Sequence, residues 1–216
     1  ELLYKMFGVN AELLIDHAWG WEPVTMDLVR AYRPETNCIS SGQVLQCPYD
    51  FERARLVVRE MADALALELV EKRMVTDQVT LTVGYDRDNL TNPGDRGRYR
   101  GEVTVDRYGR RIPKHAHGTA NLKVRTSSGR KIVEAVMKLY EEIVDPVLTV
   151  RRVILGANRL VDEKEVGGED TYVQMDLFTD YGAMEREKEA EDTKLAKERK
   201  LQEAVLAVKK KYGRNA

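Results

Sequence analysis

The apolar positions of the chain predict the order strand, helix, strand twice. In the first copy, residues 39–47 form a strand closed by Pro48, and Asp50 stands where it can cap a helix. That helix has one apolar stripe at three- and four-residue spacing: Phe51, Ala54, Val58, Met61, Leu65 and Leu69. Apolar and polar residues then alternate over residues 75–85, and this period of two predicts a second strand.

The second copy runs from His115 to Val161 and has the same pattern. Residues 117–124 alternate between polar and small or apolar side chains, which predicts a strand. Ser and Thr residues at 126–128 predict the start of a helix. Its apolar stripe is Ile132, Val136, Leu139, Tyr140 and Ile143. Asp145 precedes a proline, which ends the helix, and residues 150–161 predict a last strand.

Two such units bury their apolar faces by placing both helices on one side of a shared sheet. We therefore predict an α+β fold, in which two β-α-β units form a four-stranded sheet with two helices on one face. The other face is predicted to be open, with these occupants: Ser41, Gln43, Gln78, Thr80, Thr82, His117, Thr119, Asn121, Lys123, Arg152 and Asn158. Hydroxyls, amides and cations almost without carboxylates are typical of a surface for a phosphate backbone. They also cover solvated sheet surfaces.

The flanking segments predict shorter elements. Residues 1–22 form short helices around a glycine turn, which fit a phosphate-binding hairpin or a helical pair that packs on a neighbour. Residues 23–37 are predicted to be an extended linker, and residues 163–182 a flexible acidic tail. Residues 183–213 predict a charged helix. Its thin apolar stripe is Leu195, Leu201, Val205 and Val208.

Residues 86–114 form an insertion between the second and third strands. The whole chain has a net charge of -1, but residues 86–117 contain eight basic and five acidic side chains. The stretch 102–112 predicts a small hairpin. Its arginines fit a contact with nucleic acid, and a solvated hairpin tip fits the same residues.

Composition narrows the class of protein. With 216 residues and 43% apolar residues, the chain can hold one domain plus extensions. Its two cysteines, Cys38 and Cys47, are typical of a reducing, cytoplasmic setting. No run approaches the roughly 18 apolar residues of a membrane span, so we expect no membrane partner.

Motifs for metal binding or catalysis are not found. The two cysteines, His115 and His117 do not have the spacing of a zinc site. Residues 86–89 begin like a calcium loop, but Leu90 occupies a ligand position. We expect His117 to be a surface or DNA-facing residue, and we expect neither a metal site nor a catalytic residue.

Three stretches are informative together: Asn37 to Gln43, Val75 to Tyr85 and, above all, Val150 to Arg159. In this order they resemble the little-finger domain of Y-family translesion DNA polymerases, specifically the UmuC-like bacterial branch. The segments Phe7 to Val9 and Ala18 to Gly20 resemble the end of that family's thumb. The resemblance covers roughly residues 1–178. It implies that residues 1–22 end a thumb and that residues 38–162 form the little finger.

The resemblance also implies where DNA is bound. It places Ser40, Ser41, Gly42, Gln43, Arg151, Arg152 and Asn158 along the DNA backbone near a lesion. With these, the open face supplies the other expected DNA-binding residues: Thr80, Thr82, Thr119, Asn121 and Lys123. A surface that contacts the backbone does not test base shape, which suits damaged DNA. Several neutralised phosphates predict a log-log salt slope of roughly -3 to -5.

A second interaction is expected in the acidic tail. Gln174, Leu177 and Phe178 resemble the motif by which such polymerases bind the bacterial sliding clamp. An extended peptide would place Leu177 and Phe178 in an apolar pocket, and the Gln174 amide would make directional hydrogen bonds. The alternative is that Leu177 and Phe178 pack on the core of this chain.

The resemblance implies the DNA-binding, clamp-tethered part of a translesion DNA repair polymerase of the SOS response. In this family an acidic palm binds two magnesium ions, and no palm motif is present here, so we expect this chain alone to be inactive and without a cofactor. Its first residues read as the middle of a helix, so we expect a fragment of a longer protein. We expect a monomer. The alternative is a non-enzymatic adaptor that links a clamp or repair partner to DNA.

Overall fold

The computed structural model of the chain divides into two compact units, Glu1–Thr36 and Asn37–Ala216. It describes residues 1–32, 37–91, 99–106, 108–166 and 181–213. The predicted clamp motif at Gln174, Leu177 and Phe178 therefore lies outside the described residues.

The first unit is helical. Its elements are α1 (Leu2–Phe7), a 3-10 turn (Gly8–Asn10), α2 (Ala11–Ala18) and α3 (Met26–Ala31). Helix α3 lies in the segment predicted to be an extended linker, and that prediction is wrong for these residues. The Thr25 hydroxyl accepts a hydrogen bond from the Leu28 N–H group at 3.3 Å, so a favourable N-cap starts a helix that glycine and proline do not interrupt.

The second unit contains the sheet. Its elements are β1 (Ile39–Tyr49), α4 (Phe51–Lys72), β2 (Met74–Tyr85), α5 (Asp88–Thr91), β3 (Val103–Val105), β4 (Arg111–Pro113), β5 (Ala116–Thr126), α6 (Gly129–Ile143), β6 (Val150–Asn158), β7 (Val161–Asp162) and α7 (Tyr181–Tyr212). Arg159 has a φ of 51°, and this left-handed residue divides the predicted last strand into β6 and β7.

The four long strands are arranged in the order β1-β6-β2-β5, and all neighbours are antiparallel. Each β-α-β unit is therefore split. Strand β6 of the second copy lies between β1 and β2 of the first, and β2 lies between β5 and β6. The two copies form one sheet with a shared core, which confirms the predicted α+β fold class.

The core lies between this sheet and helices α4 and α6. The predicted stripes of both helices are buried or half-buried, and they pack against Val79, Leu81, Val83, Val153 and Leu155. Both predicted N-caps are confirmed. The Asp50 carboxylate accepts from the Arg53 N–H group at 2.8 Å, and the Ser128 hydroxyl accepts from the Lys131 N–H group at 3.3 Å.

Helix α7 docks on the second unit through polar contacts. The Glu198 carboxylate accepts from the Ser128 hydroxyl at 2.7 Å and from the Arg130 N–H group at 2.9 Å, so it caps the N-terminus of α6. Arg199 forms an ion pair with Glu163 at 3.0 Å. The predicted apolar stripe is only partly correct, because Leu201 is 66% exposed and Val208 is 46% exposed. The face of α7 that contacts the second unit is therefore held by ion pairs and hydrogen bonds more than by buried apolar side chains.

Candidate nucleic-acid interface

The sheet face opposite the helices is open and polar, as predicted for three of its four strands. Along β2, every second residue from Val79 to Tyr85 is buried, and the residues between them face outward. Along β5, His117, Thr119, Asn121 and Lys123 are exposed. Register then aligns Thr80 with Thr119 and Gln78 with both Asn121 and Asn158, so these polar side chains form one surface.

The prediction for the first strand is wrong by one residue. Directly opposite residues of an antiparallel pair share a face. Ser41 pairs with buried Leu155, and Gln43 pairs with buried Val153, so both point to the helix side and are exposed only because β1 is an edge strand. The open face of β1 instead presents Ser40, Gly42 and Val44, which pair with Gly156, Ile154 and Arg152.

Amide side chains form a network across the open face. The Gln78 amide donates to Asn121 at 2.9 Å, and the Asn158 amide donates to Gln78 at 3.4 Å and to Thr80 at 3.5 Å. The Thr82 hydroxyl and the His117 Nδ1 atom are 2.8 Å apart. These bonds hold the side chains in place before any ligand arrives, which reduces the entropy lost on binding.

The surface is flat where β1, β6 and β2 meet. A Cβ atom added at Gly156 would lie 3.1 Å from the Thr80 hydroxyl oxygen and 3.4 Å from the Ser40 Cβ atom. A side chain there would both crowd these neighbours and stand up from the face. Glycine at this position therefore leaves a shallow floor that an extended backbone can approach closely.

Charges on the open face are positive. All four long strands are described, and Asp77 of β2 is the one carboxylate that they contain; it lies 3.7 Å from the Arg125 guanidinium and 3.9 Å from that of Arg159. Arg152 and Lys123 are exposed and make no ion pair within the described residues. Arg151, also predicted to contact DNA, is the extra residue of a bulge between two pairs of β6 and β2, and its guanidinium lies 3.7 Å from the Asp86 carboxylate.

The insertion is anchored by a buried amide that sequence reasoning missed. Asn89 is 5% exposed. Its Nδ2 group donates to the carbonyls of Asp86 at 2.7 Å and Thr149 at 2.9 Å, and its Oδ1 atom accepts from the Thr149 N–H and hydroxyl groups at 2.9 and 3.0 Å. The insertion is thereby tied to the chain that enters β6. The available signal was an Asn just after a strand, but the sequence alone does not show its partner 60 residues away.

The predicted hairpin is confirmed as β3 and β4, and Asp106 makes several hydrogen bonds with described residues between the two strands. The Asp106 carboxylate accepts from the N–H groups of Tyr108 and Arg110, both at 2.9 Å, and from the Arg110 side chain at 2.7 Å. Hydrogen bonds from the Arg110 guanidinium hold the pKa of Asp106 below its usual range. The same guanidinium lies 5.0 Å from the centre of the exposed Tyr108 ring.

A groove of about 800 Å³ lies between this hairpin and the end of the open face. Thr82, Arg152 and Ile154 line it from the sheet, and Tyr108, Arg110 and Ile112 line it from the hairpin. The groove thus extends the open face, so the insertion forms one wall of the candidate interface. The sequence predicted the basic composition of this wall but not its place beside the sheet.

The described residues do not indicate a second kind of site. They contain no group of three His, Cys, Asp or Glu side chains that could bind a metal ion. Cys38 and Cys47 are free and exposed. None of the helices in the described ranges has the length and apolar character needed to cross a membrane.

Comparison with solved structures gives distant similarities. The little finger domain of PolIV, solved in a complex with the beta-clamp processivity factor, has 8% identity and a TM-score of 0.37, and the match covers 66% of this chain and 100% of that chain. The post-insertion binary complex of Dbh DNA polymerase has 12% identity and a TM-score of 0.36, with 74% of this chain and 38% of that chain covered. No curated protein matched the sequence.

Family membership rests on a stronger match. The model of the impB/mucB/samB family C-terminal domain matches residues 39–177, which is more than half of the chain and includes all four long strands and both core helices. The match confirms the resemblance to Y-family polymerases found in the sequence. The chain therefore belongs to the impB/mucB/samB family of Y-family DNA polymerases and contains the C-terminal domain of that family.

Proposed function

We propose that the open sheet face binds the backbone of a primer-template DNA, as the little-finger part of a translesion DNA polymerase. The observation that supports this most is the charge of the face: four described strands present hydroxyls, amides, Lys123 and Arg152 outward, and their one carboxylate, Asp77, is paired with Arg125 and Arg159. A phosphate backbone is the complementary ligand, because Ser, Thr, Asn, Gln, Lys and Arg are the residues that bind phosphate oxygens.

The expected contact is with the backbone rather than with base edges. Specific base contacts need side chains that project into a groove of the duplex. On this face the amides of Gln78, Asn121 and Asn158 are held against the sheet by hydrogen bonds to one another. Such a surface follows the strand without testing the shape of the bases, which agrees with a role at damaged templates.

The ion pairs lower the number of phosphates that we expect to be neutralised. Arg151 is beside Asp86, and both Arg125 and Arg159 are within 4 Å of Asp77, at 3.7 and 3.9 Å. Arg152 and Lys123 are the cations left for DNA among the described open-face residues. Two phosphates give a log-log salt slope of about -2, shallower than the slope of roughly -3 to -5 expected from the sequence.

We expect Arg152→Ala to weaken binding of a primer-template duplex by about threefold to tenfold at low salt and to reduce the salt slope by about 1, because one phosphate contact is lost. Fluorescence anisotropy of a labelled duplex, titrated at several salt concentrations, measures both quantities. Lys123→Ala should act in the same direction, since Lys123 is exposed on β5, an edge strand of the same sheet.

Arg59→Ala is the matched control. Arg59 is exposed on α4, on the helix layer behind the sheet, and makes no ion pair within the described residues. The control removes the same net charge from a surface that should not contact DNA. If Arg59→Ala and Arg152→Ala reduce affinity equally, the interaction follows net charge alone, and the sheet-face proposal is wrong.

We also propose that Gln174, Leu177 and Phe178 tether the protein to a sliding clamp. The support is chemical: two large apolar side chains and an amide stand within an acidic stretch of the sequence. Short peptides with such anchors bind apolar pockets, and a few buried anchors supply most of the affinity.

The tether is tested by surface plasmon resonance on immobilised beta clamp. The double variant Leu177→Ala, Phe178→Ala should weaken binding more than tenfold, because the apolar anchors are lost. The control is Met175→Ala, a substitution in the same stretch, which should change the affinity for the clamp less than threefold. If the double variant instead binds normally and lowers the melting temperature, the two side chains pack on the chain's own core.

Membership of this family favours the first alternative, a DNA-binding part of a polymerase, over a non-enzymatic adaptor that links a clamp or repair partner to DNA. Template-directed synthesis and its magnesium ions are proposed for a protein that carries a palm domain, and no residue of this chain is assigned to them.

A further inference from the structure

Two apolar side chains stand on the open face beside Arg152. Val44 is 67% exposed and pairs directly with Arg152 across β1 and β6. Ile154 is half-buried and lies two residues further along β6, on the same face as Arg152. Neither apolar side chain belongs to the hydrophobic core formed by the described residues. An apolar spot therefore adjoins an exposed arginine on a surface that is otherwise polar.

Glycines keep this apolar spot accessible. A Cβ atom added at Gly42 would lie 3.6 Å from the Ile154 Cγ1 atom, and one added at Gly84 would lie 3.4 Å from the Arg152 Cβ atom. Side chains at these two positions would cover the flanks of Ile154 and Arg152. Because both positions are glycine, a ligand can contact Ile154 and Arg152 from the side as well as from above.

The hydroxyl groups nearest to Ile154 on β2 already have hydrogen-bond partners. Thr82 pairs with Ile154, and its hydroxyl lies 2.8 Å from the His117 Nδ1 atom. The Thr80 hydroxyl accepts from the Asn158 amide at 3.5 Å. A polar group pressed against Val44 and Ile154 would therefore meet methyl groups and lose its hydrogen bonds with water, which is unfavourable.

The sugar is the part of a nucleic acid that would meet this spot. A phosphate held by Arg152 is joined directly to a sugar, and Val44 is the residue directly opposite Arg152. Sugars are contacted together with phosphates wherever a protein follows the backbone. Deoxyribose has an apolar CH₂ group at C2′, whereas ribose has a hydroxyl group there, which is both a donor and an acceptor.

We propose that Val44 and Ile154 contact a deoxyribose next to the phosphate bound by Arg152 and thereby make the open face prefer DNA over RNA. This inference rests on the DNA-binding function proposed above and adds a basis for distinguishing the two sugars. Deoxyribose buries apolar surface against the two side chains, whereas a ribose 2′-hydroxyl in the same place loses its hydrogen bonds. The contact is independent of the base, as a surface that follows the backbone requires.

Two labelled duplexes of one sequence test the proposal: an all-DNA duplex, and a duplex in which ribonucleotides replace the deoxyribonucleotides of one strand, tried with each strand in turn. By fluorescence anisotropy, the wild-type chain should bind the all-DNA duplex about tenfold more tightly. The double variant Val44→Thr, Ile154→Thr offers hydroxyls to a ribose and should bring the two affinities within about twofold. Threonine retains the branched Cβ atom that suits a strand.

Val147→Thr is the matched control. Val147 is 61% exposed and lies between α6 and β6, outside the sheet, so this variant should keep the tenfold preference for DNA. Val44→Thr alone should reduce the preference to about threefold. This single variant tests the proposal even if the double variant does not fold, which far-UV circular dichroism would show.

The outcomes separate this proposal from the one it rests on. If the wild-type chain binds the two duplexes equally, or if the threonine variants keep the full preference for DNA, the apolar pair does not read the sugar. In both cases the sheet-face proposal stands, provided that Arg152→Ala weakens binding of the all-DNA duplex. If the wild-type chain binds neither duplex, both proposals are wrong.

Discussion

Tyr140→Ala is expected to lower the free energy of unfolding by about 3–5 kcal/mol, the largest effect we expect of a single substitution here. Tyr140 is fully buried between the sheet and α4, and its ring centre is 4.8 Å from that of Phe51. Its hydroxyl donates to the Phe51 carbonyl at 2.8 Å. Burial raises the pKa of Tyr140, so the hydroxyl stays protonated and remains a donor at neutral pH.

Urea denaturation followed by far-UV circular dichroism measures this loss. Tyr140→Phe is the matched variant, because it retains the ring and removes only the hydrogen bond. It should cost about 1 kcal/mol. A loss of less than about 1 kcal/mol for the alanine variant would contradict the assignment of Tyr140 to the core between the helices and the sheet.

The repeated architecture could be predicted because its signals are local. Helix stripes at three- and four-residue spacing, a cap at Asp50 and another at Ser128 each depend on a few neighbouring residues, and the structure confirms them. The order of the strands in the sheet, β1-β6-β2-β5, could not be predicted from the spacing of apolar residues. It follows from which apolar faces fit together, a long-range property that leaves no local pattern.

The wrong assignment of Ser41 and Gln43 to the open face shows how far a polarity pattern can distinguish the two faces of a strand. Ile39 and Leu45 are six residues apart and lie on the same face, which also places Ser41 and Gln43 on that face. That signal was present in the sequence. It was obscured because β1 is an edge strand whose inward residues are partly polar, so polarity did not distinguish the two faces.

Contacts of the insertion and of α7 could not be predicted for a different reason. The Glu198 carboxylate caps a helix that starts 69 residues earlier, with the bond to the Ser128 hydroxyl at 2.7 Å. Most other glutamates on a charged helix are solvated, and no feature of the sequence distinguishes Glu198 from them. The groove at Tyr108 has the same origin, because its two walls come from distant parts of the chain.

One buried side chain, that of Asn89, holds the start of the insertion against the segment before β6. Asn89 makes four hydrogen bonds with Asp86 and Thr149, two as a donor and two as an acceptor. Alanine would leave the Asp86 and Thr149 carbonyls and the Thr149 N–H group without these partners at a site where Asn89 is only 5% exposed. Buried polar groups that lose their partners cost about 1–3 kcal/mol each unless water replaces the bonds.

Asn89→Ala is therefore expected to lower the free energy of unfolding by about 2–4 kcal/mol, measured by the same urea titration. Asn89→Asp should also be destabilising, because a carboxylate can accept from Thr149 but cannot donate to the two carbonyls. Asn121→Ala is the control: it removes an amide from an exposed position and should change stability by less than about 0.5 kcal/mol. Equal losses for Asn89→Ala and Asn121→Ala would show that the buried amide does not anchor the insertion.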